Sequence, residues 1–166
     1  MAHDAYIRFD GISSRNPDAQ QPGWIRLLSF RHGLEQPMTG SAGTGGQGAP
    51  ARARHGDLVI EKLLDDTSPI LSLYCCSGRL IPEVTVEVWD AGAGRHKFME
   101  YLLSDVLVRS TRVQLPTVQA PESGATLREE IGLQYARIEW NYTLNSADGP
   151  IGSVNHFWDT TQNRGG

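Results

Sequence analysis

Polar and apolar residues alternate over much of the chain, the two-residue period of strands with one buried face. The first such stretch is Tyr6-Ile7-Arg8-Phe9, where Ile7 and Phe9 share a face opposite Arg8, ahead of a turn-rich segment at residues 11–22. A second strand is predicted over residues 24–36. Its even positions Trp24, Leu28, Phe30 and Leu34 are apolar and Arg31 and Glu35 lie opposite, although Ile25 and Leu27 blur the first half. Residues 57–64 (DLVIEKLL) return to strand-like composition. After Pro82 the alternation is cleaner, with Val84, Val86 and Val88 on one face and Glu83, Thr85 and Glu87 on the other. The Asp90-Ala91-Gly92-Ala93-Gly94 run reads as a hairpin loop leading into a long strand from His96 to about Leu115. The last long strand is predicted over residues 128–144. Its apolar face changes phase near Tyr135, from Ile131 and Leu133 to Ala136, Ile138, Trp140 and Tyr142, as one extra residue in a β-bulge would produce. An Asp148-Gly149-Pro150 turn then leads to a tail, residues 153–166, whose Phe157 and Trp158 suit a further strand.

One segment has helical character. Ser68 suits an N-cap and Pro69 the first helical position, where its missing N–H costs nothing; the body runs over residues 70–76, and Gly78 is the stop. Ile70, Leu73 and Tyr74 fall on one helical face, and Asp65 and Asp66 sit near the positive end of the dipole. The fold class expected is mainly β: an antiparallel barrel or sandwich of two sheets with one short helix, about residues 68–77, packed beside it. A single domain spans residues 1–166, since this length leaves room for one and not two.

Two stretches interrupt the pattern. Residues 37–56 contain six glycines, two prolines and no Leu, Ile, Val, Phe, Tyr or Trp, so they form a long loop, either disordered or used for binding. Residues 116–126 are a second, weakly hydrophobic loop. Eighteen glycines and nine prolines in 166 residues fit short strands and turns better than a helical bundle.

Charge and candidate chemistry narrow the function classes. Fifteen Lys and Arg against nineteen Asp and Glu give a net charge of −4, without the basic surplus that binding a phosphate backbone needs, so no nucleic-acid partner is expected. His3, Asp4, Arg8 and Asp10 break the N-terminal apolar core that a secretory signal requires, and no run approaches a membrane span. Synthesis as a soluble cytoplasmic protein without membrane insertion is the expectation. The two cysteines, Cys75 and Cys76, are neighbours, which disfavours an ordinary disulfide; they read as small apolar residues filling the helix–sheet contact. The five histidines show no metal-ligand spacing, GTGGQG at residues 43–48 lacks the lysine of a P-loop, and no GxSxG elbow occurs. No enzyme, metal or cofactor is expected.

The order and spacing of several fragments carry a resemblance. Phe9-Asp10-Gly11-Ile12, Gly23-Trp24-Ile25 and Leu28-Ser29-Phe30 at the front are followed by Asp66-Thr67-Ser68-Pro69, Cys75-Cys76-Ser77-Gly78 and Ile81-Pro82-Glu83-Val84. Phe98-Met99-Glu100-Tyr101-Leu102, the run through Arg109-Ser110, residues 130–140 (EIGLQYARIEW) and Ala147-Asp148-Gly149 complete the set. Together they resemble the haemolysin-coregulated protein (Hcp) family of type VI secretion over nearly the whole chain. The resemblance implies a homohexameric ring and rings stacked into the inner tube of a contractile machine. It further implies a surrounding sheath, a trimeric spike at the tip, effector proteins carried in the lumen, and export through the machine without a signal peptide. Residues 37–56 then correspond to an arm toward the adjacent ring, with Gly45, Gly46, Arg52 and Arg54 as inter-ring candidates, and Arg31 and Glu35 are candidates for the lumen wall. The competing reading is a monomeric jelly-roll-like module that binds a carbohydrate or a metal.

Overall fold

The computed structural model describes residues 3–15, 21–39, 49–92, 94–115, 127–146 and 149–166. Fourteen strands and one helix follow in order among them. They are β1 (His3–Phe9), β2 (Ile25–Leu27), β3 (Ser29–Arg31), β4 (Leu34–Glu35), β5 (Met38–Thr39), β6 (Ala49–Pro50), β7 (Arg54–His55), β8 (Leu58–Leu63), α1 (Ser68–Ser77), β9 (Leu80–Asp90), β10 (Lys97–Gln114), β11 (Arg128–Gln134), β12 (Arg137–Ser146), β13 (Gly149–Asp159) and β14 (Arg164–Gly165). The mainly β, antiparallel architecture is the one the alternation predicts, built on one ten-stranded sheet and two short two-stranded ladders.

The eighteen-residue β10 is the spine. It pairs with β9 along one edge, and with β12 and then β11 along the other. β9 continues to β1 and β1 to β2, while β11 continues to β8 and β8 to β3. β2 and β3 are consecutive in sequence and joined through Leu28, whose N–H donates to the Glu61 carbonyl at 2.8 Å. The strands β2/β3, β8, β11, β10, β9 and β1 thus close on themselves as a barrel, while β12, β13 and β14 extend from β10 outside this circuit. Ile7, Ile60, Val84, Leu103 and Ile131 fill its interior and are fully buried.

This closure corrects the prediction of one strand over residues 24–36. The chain leaves β1 for β8 at Leu28, so the inward parity changes there: Ile25 and Leu27 are buried, Phe30 packs against the core, and Leu28 and Leu34 are exposed. The predicted phase change near Tyr135 is real, but no inserted residue causes it. Leu107 faces Gln134 and Ser104 faces Arg137, three residues apart on each strand. The ladder instead breaks opposite Asp105, whose left-handed backbone (φ 51°) kinks β10, and Ala136 N–H closes the gap on the Ser104 carbonyl at 3.0 Å. The bulge in this ladder lies in β10, between Val108 and Ser110. On β9 the valine face is inward as predicted, yet Thr85 and Glu87 are also buried, Glu87 accepting from Gln21, Trp89 and Lys97.

The helix packs on β10 and ends at Gly78 in the left-handed conformation (φ 67°), its N–H donating to the Tyr74 carbonyl. Its start differs by one residue from prediction: Thr67 is the N-cap and Ser68 the first helical residue. Ser68 is recruited inward instead, donating from Oγ to Glu129 Oε2 at 2.6 Å, while the Asp65 carboxylate accepts from Thr67 N–H at 2.8 Å. Lys62 completes the cluster. Fully buried, its ammonium lies 3.1 Å from Glu129, also fully buried, and 2.8 Å from Asp65. The inward helical face is Leu71 and Tyr74, with Ile70 and Cys75 partly buried; Leu73 and Cys76 are exposed, so only the first cysteine packs as predicted.

Candidate functional site

Among the described residues, 34–39 and 49–55 form two short ladders of an arm, most of it in the stretch 37–56 where a loop is expected. Leu34 pairs with His55 and Glu35 with Arg54, and farther out Met38 pairs with Pro50. Between these pairs lie Gln36, Pro37, Ala51, Arg52 and Ala53, with no large aliphatic or aromatic side chain to fill a core, so this part of the arm is held by backbone pairing and by its root. Gly45 and Gly46 lie outside the described residues. Arg52 donates to the Thr160 carbonyl, which ties the arm to the tail of its own chain, and Arg54 is exposed opposite Glu35.

The root is a joint of three rings from distant segments. His32 Nε2 lies 2.7 Å and His55 Nδ1 2.9 Å from the Tyr135 hydroxyl. Beside them Gly56 N–H donates to the Gly33 carbonyl at 3.0 Å, and a Cβ at Gly56 would stand 3.1 Å from that oxygen, so the two arm strands meet here closely. His55 also stacks on Trp158 with ring centroids 6.4 Å apart. Burial, and then the charge of His55, pushes the His32 pKa down; burial and then Arg52 do the same to His55. Burial and then the Asp57 carboxylate raise that of Tyr135. Both shifts favour the neutral imidazole, and with both rings neutral one accepts the phenol proton while the other donates to the phenol oxygen. Sequence reasoning missed this joint because 80 and 103 residues separate the partners.

The second surface is the outer face of neighbouring strands β10, β11, β8 and β3. Arg31 and Arg112 both bond Glu130, at 3.0 and 3.1 Å; Arg128 bonds Glu61 at 3.3 Å, and Arg109 bonds Asp57 at 3.3 Å. Glu61 and Glu130 are directly opposed across β8 and β11, a like-charge pair offset by these arginines. The structure thus puts Arg31 on this face and Glu35 on the arm, separating two residues predicted to share one polar strand face.

The third surface is the ribbon of β12 and β13. Tyr142 faces Val154 and Leu144 faces Gly152, and Tyr142, Leu144, Ile151 and Val154 are 44–70% exposed. β14 covers only Trp158 and Asp159, so among the described residues most of β13 is paired along one edge alone. At the arm root an apolar groove lies between Leu34, Ala53, His55, Trp140 and Trp158. No helix among the described residues is long and apolar enough to cross a membrane, and no three His, Cys, Asp or Glu residues among them are grouped to hold a metal ion.

A sequence model described as "Type VI secretion system effector, Hcp" matches residues 6–142, most of the chain. The chain belongs to the Hcp family. It is 32% identical over 114 residues to protein hcp1 of Pseudomonas aeruginosa, a match spanning 64% of this chain and 65% of that relative's length. Hcp1 from Salmonella typhimurium superposes with a TM-score of 0.75 at 25% identity, over 99% of each chain. A structure described as that of a type six secretion system protein superposes with a TM-score of 0.86 at 23% identity, over 99% of this chain and 100% of the other. The Hcp fold therefore runs through the arm, the charged face and the ribbon, and membership places the chain in type VI secretion, in a family not defined by a catalytic activity.

Proposed function

We propose that this Hcp-family chain is a structural subunit of the type VI secretion inner tube. Six copies form a ring, rings stack, and the tube is expelled by contraction of a surrounding sheath behind a trimeric spike, with effector proteins in its lumen. The observation that carries self-assembly is the β12–β13 ribbon: exposed Tyr142, Leu144, Ile151 and Val154 beside a β13 edge largely without a second strand. Apolar surface next to unpaired N–H and C=O groups is what a second chain covers. A ring further needs two different complementary surfaces on each copy, so the ribbon must meet another part of the neighbour.

In this reading the arm reaches the adjacent ring. Arg54 is free to meet a neighbour's carboxylate, while Arg52 contributes by fixing the arm against Thr160. An exposed pair is worth only ~0–1 kcal/mol, so sixfold repetition supplies the effect. The charged face carrying Arg31 lines the lumen, and Glu35 belongs to the arm. The subunit performs no chemistry; rigidity comes from interlocked copies and export from the machine.

Light scattering coupled to size exclusion tests this, with negative-stain imaging of the main peak. The expected species is about 110 kDa, six chains of 18.3 kDa, seen as open rings. A monomer at high concentration would sink the proposal in favour of a monomeric binding module. Gly45→Pro with Gly46→Pro should keep the ring mass and shorten stacked tubes; undiminished tubes would remove the arm from stacking.

A further inference from the structure

The charged face is built so that its donors point outward. In each of its four ion pairs the guanidinium is the more exposed partner, at 52–68% against 24–33% for the carboxylate. The short acidic side chains rise from the sheet, and the longer arginines fold over them and end outermost. Among the described residues each guanidinium is anchored to its carboxylate through one nitrogen, although it carries five N–H donors. Both carboxylate oxygens of Glu130 accept from arginines, Glu61 Oε1 accepts from Arg128, and Asp57 Oδ1 accepts from Arg109. Ser29 Oγ also donates to Glu61, at 3.1 Å. Four arginines stand against three carboxylates here, on a chain whose net charge is −4.

We infer that this face is a contact surface for a protein partner bearing exposed carboxylates, an acidic segment of a transported effector. This rests on the reading that the face lines the lumen. Arginine forks match carboxylates two bonds at a time, and each free edge can take a partner's carboxylate without leaving its own. The existing pairs are exposed and hence weak, so exchange is reversible, as transported cargo requires. Repetition around a ring multiplies the contact. A nucleic acid, whose phosphates the same forks would also match, is the competing outcome that the test separates.

Fluorescence anisotropy with labelled poly-glutamate, poly-lysine and oligo(dT) of matched length tests the inference at low salt. Poly-glutamate should bind best, and Arg31→Gln with Arg112→Gln should weaken it about tenfold or more, while Arg164→Gln on the tail leaves it within about twofold. Arg128→Gln alone should give a smaller loss, which keeps the test decisive if the double variant misfolds by circular dichroism. Tighter binding of oligo(dT), preference for poly-lysine, or equal poly-glutamate binding by the variants would overturn it. Scattering mass on the same samples separates the two claims. Rings without poly-glutamate preference defeat the inference alone, whereas selective binding by a monomer defeats the ring and upholds the surface.

Discussion

Replacing Lys62 with Met removes the ammonium that lies among Glu129, Asp65, Ser68 Oγ and the Leu63 carbonyl, at distances of 2.8–3.2 Å. Methionine fills much of the same volume, so the cost is electrostatic. Glu129 would remain fully buried, holding one hydrogen bond from Ser68, with its Oε1 already lacking a partner. Losing one member of a buried pair costs ~3–5 kcal/mol, a large share of the ~5–15 kcal/mol that holds a domain together. For a chain of this size the melting midpoint should fall by roughly 6–20 °C. Glu129→Gln should cost less, about 1–3 kcal/mol, because Lys62 keeps Asp65, whose side chain reaches water. The double variant should recover part of the Lys62→Met loss, since it removes both charges together. Urea denaturation at one fixed protein concentration measures all three, the concentration being held because assembly contributes to apparent stability. A Lys62→Met loss below about 1 kcal/mol, or a larger loss for Glu129→Gln, would refute the assignment of an indispensable buried ammonium.

Two further outcomes are expected. The native state lowers the His32 and His55 pKa values, so the unfolded chain binds more protons as pH drops below the ordinary histidine value of 6.5. Stability at the arm root is then fully present above that pH and declines below it, levelling off beneath the depressed native values; thermal melts from pH 7.5 to 5 should show the midpoint fall, and less so in His32→Gln with His55→Gln. A wild-type midpoint whose pH dependence matches the double variant's would remove the two imidazoles as its source. Leu71→Ala empties a fully buried site between α1 and the barrel and should cost ~2–5 kcal/mol by urea denaturation, whereas Leu73→Ala on the exposed face should cost under about 1 kcal/mol; comparable losses would mean the helix presents a different face.

Strand identity was legible wherever a segment keeps the same neighbours along its length and points one apolar face into the core. Val84, Val86 and Val88 alternate against β1 and β10 and were read correctly, and Gly78 ended the helix because only a residue at ease with positive φ closes that turn. The reading failed where a strand changes partner. Between Ile25 and Arg31 the chain passes from β1 to β8, and alternation assumes a single continuous ladder. Residues 37–56 carried no alternation, and the short ladders that pair Met38 with Pro50 and Glu35 with Arg54 are held by backbone bonds that composition does not reveal.

The sequence alone determined the mainly β class, the helix and its stop, the exclusion of familiar catalytic motifs, and the family resemblance, because these depend on local periodicity and on fragments in order. Tertiary structure decided barrel closure at Leu28, the burial of Lys62 with Glu129, the three-ring root of the arm, and the separation of Arg31 from Glu35. Each of these joins groups through space after the chain has turned back on itself. Strand partners, and with them which polar residues are buried, are settled only when the whole sheet closes.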